Sequence, residues 1–463
     1  MTNMNLIEDE IPRLYSEKLL QDLGEIISLY EFYDGKGQFP LSLSSRDYIP
    51  TRKITNFTKK LIKAEARYMF SRTPEFYIKP FESIYGEDSK KLQDFIRKTL
   101  DSSNFGNKLI KAARDCFIGK RIALKLWADN SGQLSVSFRP SLEFIFDYEN
   151  DDIDNLKKII FFYNQNDETD LKKQRIWKQK FELINNKCIL NEAVYDGKAN
   201  LIKSIYKDFY TGLDFIPAFV IINDGLTGDP IGESDISDIM ENQILYNRLT
   251  SDDIDALRFN MFPQRVAVDA SPASLESMVI APAALIDLQT DPATSSGQAS
   301  LNTLEAKFGY GDKYEQTIKR IKNDMYEILS VPDISIDYLK NHSYSGKALK
   351  SIYWDLTCRC EEKWTVWEPA LKWLIRSLES IAKKFGIYSG NDFEYSIVIE
   401  HLYPITDDEE NERINDLSEV EKLVRSKKNY IEKWNINEDP DGELYQINLE
   451  QPVNNVPVDY MVD

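Results

Sequence analysis

"LSVPDISIDYLKNHSYSGKALK" runs from Leu329 to Lys350 between two strongly helical patterns. The first pattern stops at Val331-Pro332, because proline has no N–H to give to the preceding turn. The second, the longest in the chain, starts at Ser345-Gly346-Lys347. A phosphate-cradling loop needs a glycine five residues before the Gly-Lys pair and Ser or Thr after it. Asn341 and Ala348 stand at those positions. A Ser-x-x-Lys nucleophile needs serine three residues before the lysine, and that residue is Tyr344. The stretch therefore reads as a loop held between two rods. Ile334, Ile336, Tyr338 and Leu339 keep no clean period, so part of the loop is expected to pack and its tip to project. Gly346 tolerates backbone angles that other residues resist, and Ser345 can cap the helix that follows.

Working outward, Gly232 to Phe262 (GESDISDIMENQILYNRLTSDDIDALRFNMF) reads as one helix of about 30 residues and about 45 Å. Ser234 or Asp235 can cap it. Ile236, Ile239/Met240, Leu245, Leu249, Ile254 and Leu257 suggest a single apolar stripe. Seven acidic residues face two arginines between Glu233 and Arg258. Asp312 to Ser330 is a shorter helix, with Tyr314, Ile318, Ile321, Met325 and Ile328 on one side. Between the two rods, 19 of the 33 residues from Ala270 to Asn302 are Ala, Ser, Thr, Gly or Pro, without Lys or Arg. Apolar runs such as MVIAPAALIDL make that segment a module that packs on something rather than a linker. Past the loop, Gly346 to Phe385 keeps helical spacing from Leu349 to Ile381. Pro369 inside it removes one donor and predicts a kink.

The N-terminal part reads as helices over about Ile7–Glu31, Arg52–Phe70, Ser89–Asp101 and Asn107–Phe117. Strand patterns then take over from Arg121 to Asn223. RIALKLWADNSGQLSVSFRP alternates, turns at Asp129-Asn130-Ser131-Gly132 and alternates again, which is a hairpin signature. After the long helix, YSIVIEHLYPIT is one more strand. A helix follows it, with Thr406 and Glu409 as a capping box, and a short helix starts after Asp439-Pro440-Asp441-Gly442. The fold class is thus α+β.

Composition narrows the function. The chain has 463 residues and a formal charge of −19. A protein that grips DNA through its backbone is usually basic, so sequence-specific DNA binding is disfavoured. From Ile405 to Asp463 there are 16 acidic and 6 basic residues, so over half of the excess negative charge lies at that end. No apolar run reaches the length of a membrane span, and the acidic, amphipathic start does not read as a signal peptide. The four cysteines are scattered apart from Cys358 and Cys360, and only two histidines occur. Buried thiols fit better than a metal site, as does a reducing compartment.

The order of elements resembles the portal proteins of tailed bacteriophages, in particular those of phages infecting Gram-positive bacteria. YEFYDGKGQF (Tyr30–Phe39) is similar to the Tyr-Tyr-x-Gly segment that opens the family. RKITNF and the following MFSRTPEFYI resemble its Lys-x-x-x-Asn helix and short Pro-containing strand. FIPAFVIIN, GESD and LYNRLTSDDID resemble its Ile-Pro strand, Gly-x-Ser-Asp turn and Tyr-Asn pair. VPDIS and SYSGKALKSIYWDLTCRCEEKW match its Pro-Asp loop and Ser-Gly-x-Ala-Leu helix, and DPDGELYQI its Pro-x-x-Glu-Leu ending. MENQILYN departs from the pattern, since the family has Leu-Ile-Asp before Tyr-Asn.

The resemblance implies a ring-forming portal fold with a mainly helical wing and stem, a β-rich wing layer, a small α/β clip and a helical crown. It places the N-terminal wing at 1–228, the first stem helix at 229–262 and the clip at 263–311. The second stem helix falls at 312–331, the tunnel loop at 332–346, the wing spine helix and strand at 347–404, and the crown with its acidic tail at 405–463. Rings of this family, usually of twelve subunits, sit at one vertex of the phage head and form the channel for DNA packaging and ejection. The partners implied are double-stranded DNA bound without sequence preference, the terminase large subunit, the major capsid and scaffolding proteins, and a head-completion adaptor. No cofactor and no membrane are implied. The location is the virion, after assembly in the host cytoplasm. Candidate loop residues are Lys340, His342, Ser345, Gly346 and Lys347; candidate stem-lumen residues are Glu233, Asp238, Glu241, Asp252 and Asp255; Pro369 is the candidate kink. An acidic lumen suits a conduit, because lysine and arginine would hold phosphate by counterion release. The alternatives are a helical scaffold or adaptor of the virion, and a metal-dependent nuclease using pairs such as Asp252-Asp253, Asp407-Asp408 or Glu409-Glu410.

Overall fold

A computed structural model describes residues 13–39, 49–128, 132–149, 152–226, 228–261, 264–272, 276, 289–291, 293, 298–304, 309–333, 346–404, 409–434 and 440–450. Helix α1 is Arg13–Tyr33 and α2 is Phe57–Phe70. Asn56 starts α2 by accepting a hydrogen bond from the Lys59 N–H, one of the donors a helix leaves open. Strand β1 is Glu75–Pro80, followed by α3 (Gly86–Ser102) and α4 (Phe105–Gly119). The strands of the sequence's β-rich stretch are β2 (Arg121–Ala128), β3 (Leu134–Pro140), β4 (Phe144–Glu149), β5 (Asp152–Asn164), β6 (Ile176–Ile184), β7 (Lys187–Tyr195), β8 (Leu201–Tyr210) and β9 (Ala218–Ile222).

They form two sheets, ordered β3-β2-β9 and β4-β5-β6-β7-β8. The expected hairpin is present, with Leu124 opposite Phe138 and Leu126 opposite Val136. Strand β2 is buried over Arg121–Leu126 because it is the central strand of its sheet. Lys125 leaves that sheet to lie against Phe161, Trp177 and Phe181 of the other, 4.4, 4.8 and 5.9 Å from their ring centres.

After a 3₁₀ turn over Ser237–Ile239 comes α5, Met240–Met261. The rod expected over Gly232–Phe262 is therefore shorter, because the chain before Ser237 is pinned by side-chain bonds described below. Strands β10 (Gln264–Val268) and β11 (Ser300–Leu304) pair antiparallel and close the base of the Ala/Ser-rich segment, much of which lies outside the described residues. Helix α6 is Gly311–Ile328 and packs on α5.

The single helix expected over Gly346–Phe385 is two: α7, Gly346–Ile352, and α8, Trp354–Lys384. The interruption is one residue, Tyr353, whose N–H still reaches Leu349 O at 3.1 Å. Helix α8 continues through Pro369. Strand β12, Tyr395–Glu400, pairs with β1 and brings Ile397 opposite Ile78. The C-terminal helices are α9 (Glu409–Glu421), α10 (Lys427–Trp434) and α11 (Pro440–Glu450). Thr406, one half of the expected capping box, lies outside the described residues.

Contacts divide the chain into one unit of residues 1–333 and 358–401, and another of 334–357 and 402–463. The core of the first is built from α2, α4 and α8. Phe70 stacks at a tilt on Trp367, with ring centres 4.9 Å apart, and Trp364 lies flat on His401 at 4.1 Å. Burial lowers the pKa of His401 from its usual value, and its ring nitrogen Nε2 lies 2.6 Å from Met69 O. In the second unit Asp416 gathers α9 and α10. It pairs with Arg425 at 2.6 Å and Lys433 at 2.8 Å, and accepts from Trp434 Nε1 at 2.9 Å.

Candidate functional site

The base of the long helix is set by a buried ionic cluster. Gly232 has φ +76, and a Cβ there would meet Lys120 O at 2.7 Å and Asn223 O at 2.8 Å, so only glycine passes this point without strain. Ser234 Oγ donates to Ile118 O at 2.7 Å, and the Asp235 N–H donates to Phe117 O at 3.1 Å. Both residues thus tie the turn to the end of α4 instead of capping a continuous helix. The Asp235 carboxylate accepts from Lys363 Nζ at 2.8 and 2.9 Å and from Arg359 Nη2 at 3.0 Å. Arg359 Nε also donates to Glu65 Oε1 at 2.9 Å, and Lys363 gives a third bond, 2.8 Å, to Asn223 Oδ1. Three distant segments meet here: α2, the Gly-Glu-Ser-Asp turn and α8.

Burial drives the protonation states of this cluster. It raises the pKa of Glu65, and the neighbouring Asp235 charge adds to the rise. For Lys363 burial alone would favour the neutral amine, but the Asp235 and Glu65 carboxylates outweigh it and raise the pKa. Burial also raises the thiols of Cys116 and Cys360 well above their usual range, so neither is an activated nucleophile. Two cations and two carboxylates pair with one another, although Glu65 Oε2 is buried without a hydrogen-bond partner, and the chemistry is that of a structural clamp.

The face of α5 that enters the protein is polar, contrary to the apolar stripe read from the sequence. Gln243, Asn247, Ser251 and Asp255 are buried, while Leu245 and Leu257 are 43% and 47% exposed. These four residues, each four positions from the next, line up beside the segment Thr51–Asn56 and the first residue of α2, Phe57. Gln243 Oε1 accepts from the Phe57 N–H at 2.8 Å and Asn247 Oδ1 from the Thr55 N–H at 3.0 Å. Ser251 Oγ accepts from the Lys53 N–H at 3.0 Å, and the Asp255 carboxylate from the Thr51 N–H at 3.0 and 3.1 Å. Gln243 returns a bond from Nε2 to Thr55 O at 2.8 Å. The match follows from element geometry. Four helical residues rise about 6 Å, and two extended residues about 6.6 Å, so every fourth helical side chain meets every second strand amide.

Among the lumen candidates, Glu233, Asp238, Glu241 and Asp252 are exposed. Asp255 is 4% exposed and turned to the Thr51 amide, so the expectation that it faces a lumen is corrected: its carboxylate is a rung of the ladder. Asp252 lies 3.9 Å from Arg248 on the outward face. On the other side of the ladder, Phe57 meets Tyr246 edge-on at 5.0 Å, and Lys60 Nζ donates to Tyr326 OH at 2.5 Å, which ties α2 to both α5 and α6.

The loop candidates Lys340, His342 and Ser345 lie outside the described residues. Gly346 and Lys347 belong to the first turn of α7. Among the described residues no three His, Cys, Asp or Glu side chains gather as a possible metal site, and no helix is long and apolar enough to cross a membrane. Of the carboxylate pairs named above, Asp407-Asp408 lies outside the described residues, and Glu409-Glu410 opens α9. Sequence reading missed the ladder and the ion cluster. The available signal for the ladder was the four-residue spacing of short polar side chains in a helix otherwise rich in acid.

The protein-family model described as "Phage portal protein, SPP1 Gp6-like" matches residues 14–454. A search of curated proteins gave no match.

Proposed function

The chain belongs to the SPP1 Gp6-like phage portal protein family, and from that membership we propose that it assembles into the ring through which DNA enters and leaves a phage head. The observation that carries the reading is the extent of the match, 14–454 of 463 residues, which spans nearly the whole chain. The family is structural, so the role sought is mechanical rather than catalytic. The ring, of about twelve subunits by likeness to the family, occupies one vertex of the capsid in the virion, having been assembled in the bacterial cytoplasm.

In this reading α5 and α6 are the stem pair. Their packing against each other, and the exposed Glu233, Asp238, Glu241 and Asp252, support a stem that turns carboxylates to passing DNA. Carboxylates repel phosphate and release no counterions, so the duplex slides rather than sticks. Residues 263–311 are the clip, which joins neighbours and docks the terminase large subunit; the lack of Lys and Arg from Ala270 to Asn302 favours apolar and hydrogen-bonded docking. The head-completion adaptor takes that place after packaging, and the wing meets the major capsid and scaffolding proteins. Residues 332–346 are the tunnel loop. Lys340 and His342 touch phosphates loosely, Lys347 stands at the base, and Ser345 and Gly346 form the hinge. Pro369 kinks the spine.

Two experiments test this. Deleting 270–302 should leave the wing folded and the heads empty; heads filled as by the parent would refute the clip. Gly346→Val should stiffen the hinge and Lys340→Glu should change DNA retention, with rings still forming in both. If both variants package and retain DNA like the parent, the loop is only a connector.

A further inference from the structure

Strand β8 ends the order of the five-stranded sheet, so among the described residues one row of its backbone N–H and C=O groups has no strand beside it. All ten of its residues are exposed. Among them are Ile202, Tyr206 and Phe209 at 45%, 43% and 48%. Tyr206 and Phe209 also lie together, with ring centres 5.0 Å apart. A long apolar edge is a template for another strand and a hazard unless it is controlled.

The control here is charge. Between residues 172 and 207 there are nine Lys and Arg against three Asp and Glu, in a chain whose total charge is −19. Lys203 and Lys207 stand on the open strand itself, and Lys187 and Lys198 are exposed on and beside the strand next to it. Pairing of β8 with β7 is also irregular, with register shifts at Leu190/Glu192, Glu192/Ala193 and Val194/Tyr195. Asp208 sits at φ 47, its N–H donating to Asn191 Oδ1 at 2.8 Å. Bulges and edge lysines turn away indiscriminate partners, including another basic strand.

We propose that β8 is a docking edge for an extended, acidic segment of another virion protein, added to the sheet as a sixth strand through its backbone and held by Lys203 and Lys207. The backbone row selects a polypeptide, since strand addition takes its affinity from main-chain hydrogen bonds. The lysines select Asp and Glu in it. A second copy of this chain pairing edge to edge is disfavoured on two counts. It would oppose Lys203 and Lys207 to their own copies, and a self-paired edge needs a two-fold axis, which a cyclic ring's head-to-tail interfaces do not supply. The proposal is independent of the stem and loop assignments, and its failure leaves them as they stand.

The test is fluorescence anisotropy of a labelled decapeptide alternating valine and glutamate, titrated with the full chain. Binding is expected, weaker with added salt, and about ten-fold weaker for the Lys203→Glu/Lys207→Glu double variant. The same peptide N-methylated on every residue, which blocks both of its hydrogen-bonding edges, should not bind. The proposal is overturned if the acidic peptide does not bind, or if a valine–lysine peptide or the N-methylated peptide binds as well. It is also overturned if a short DNA duplex displaces the peptide with the same dependence on the two lysines, which would make the patch a nucleic-acid surface. Binding to the monomer but not to the assembled ring would give the edge to a second copy and overturn it too.

Discussion

Lys125 carries an amine into the space between two sheets, over three aromatic rings. Burial lowers its pKa to about 7 from 10.5; the Arg139 charge adds to the lowering, and Glu192 and Glu143 oppose it. The unfolded chain holds this proton up to the ordinary lysine range, so the cost of burying the charge is fully present below pH 7. It is relieved as the pH rises from about 7 toward 10.5. Lys125→Met keeps the stem and deletes the charge. Compared with that variant, the parent should gain about 2–3 kcal/mol of stability between pH 6 and pH 9, measured by denaturant unfolding at the two values. Equal slopes for parent and variant would show that the amine is not buried as charged. Lys363 is the opposite case, a buried cation whose partners are in place. Lys363→Met takes both lysine hydrogen bonds from Asp235, leaving it Arg359, and should cost about 3–5 kcal/mol by the same measurement. Neither residue was legible as buried in the sequence, since a lysine in a strand or helix reads as solvated until its neighbours from distant segments are known.

At the scale of elements, the ladder between α5 and Thr51–Phe57 makes its own prediction. Gln243→Ala leaves the Phe57 and Thr58 amides and the Thr55 carbonyl without the side chain they now share. An unsatisfied buried group costs about 1–3 kcal/mol. Hydrogen exchange of the peptide covering residues 51–58 should therefore accelerate, while the β2–β3 hairpin keeps its protection. Unchanged exchange in 51–58 would show that the segment is held by something else. Strands and helices of ordinary period were readable in the chain: the hairpin of β2 and β3, the β-rich stretch from Arg121 to Asn223, and α6 with Ile321 and Met325 inside. The ladder was not, because periodicity searches follow apolar residues, and here the buried stripe is Gln243, Asn247, Ser251 and Asp255. Strand β8 lies inside the β-rich stretch but gives no pattern of its own: with both faces exposed it lacks the alternation that marks a half-buried strand. The break at Tyr353 leaves the apolar spacing across it intact and so gave no signal.

For the molecule as a whole, the order of motifs from Tyr30 to Leu444 carried more than any one of them. Each is short, but the chain that carries them in that order matches one family over residues 14–454. The proposed ring with a channel is supported by family membership and by the exposed Glu233, Asp238, Glu241 and Asp252. Negative-stain electron microscopy of the purified chain, with and without scaffolding protein, tests it most directly. The account predicts end views with a stain-filled central channel and a cyclic symmetry of about twelve. Particles without a channel under every assembly condition, and a molar mass that stays at one subunit, would contradict it.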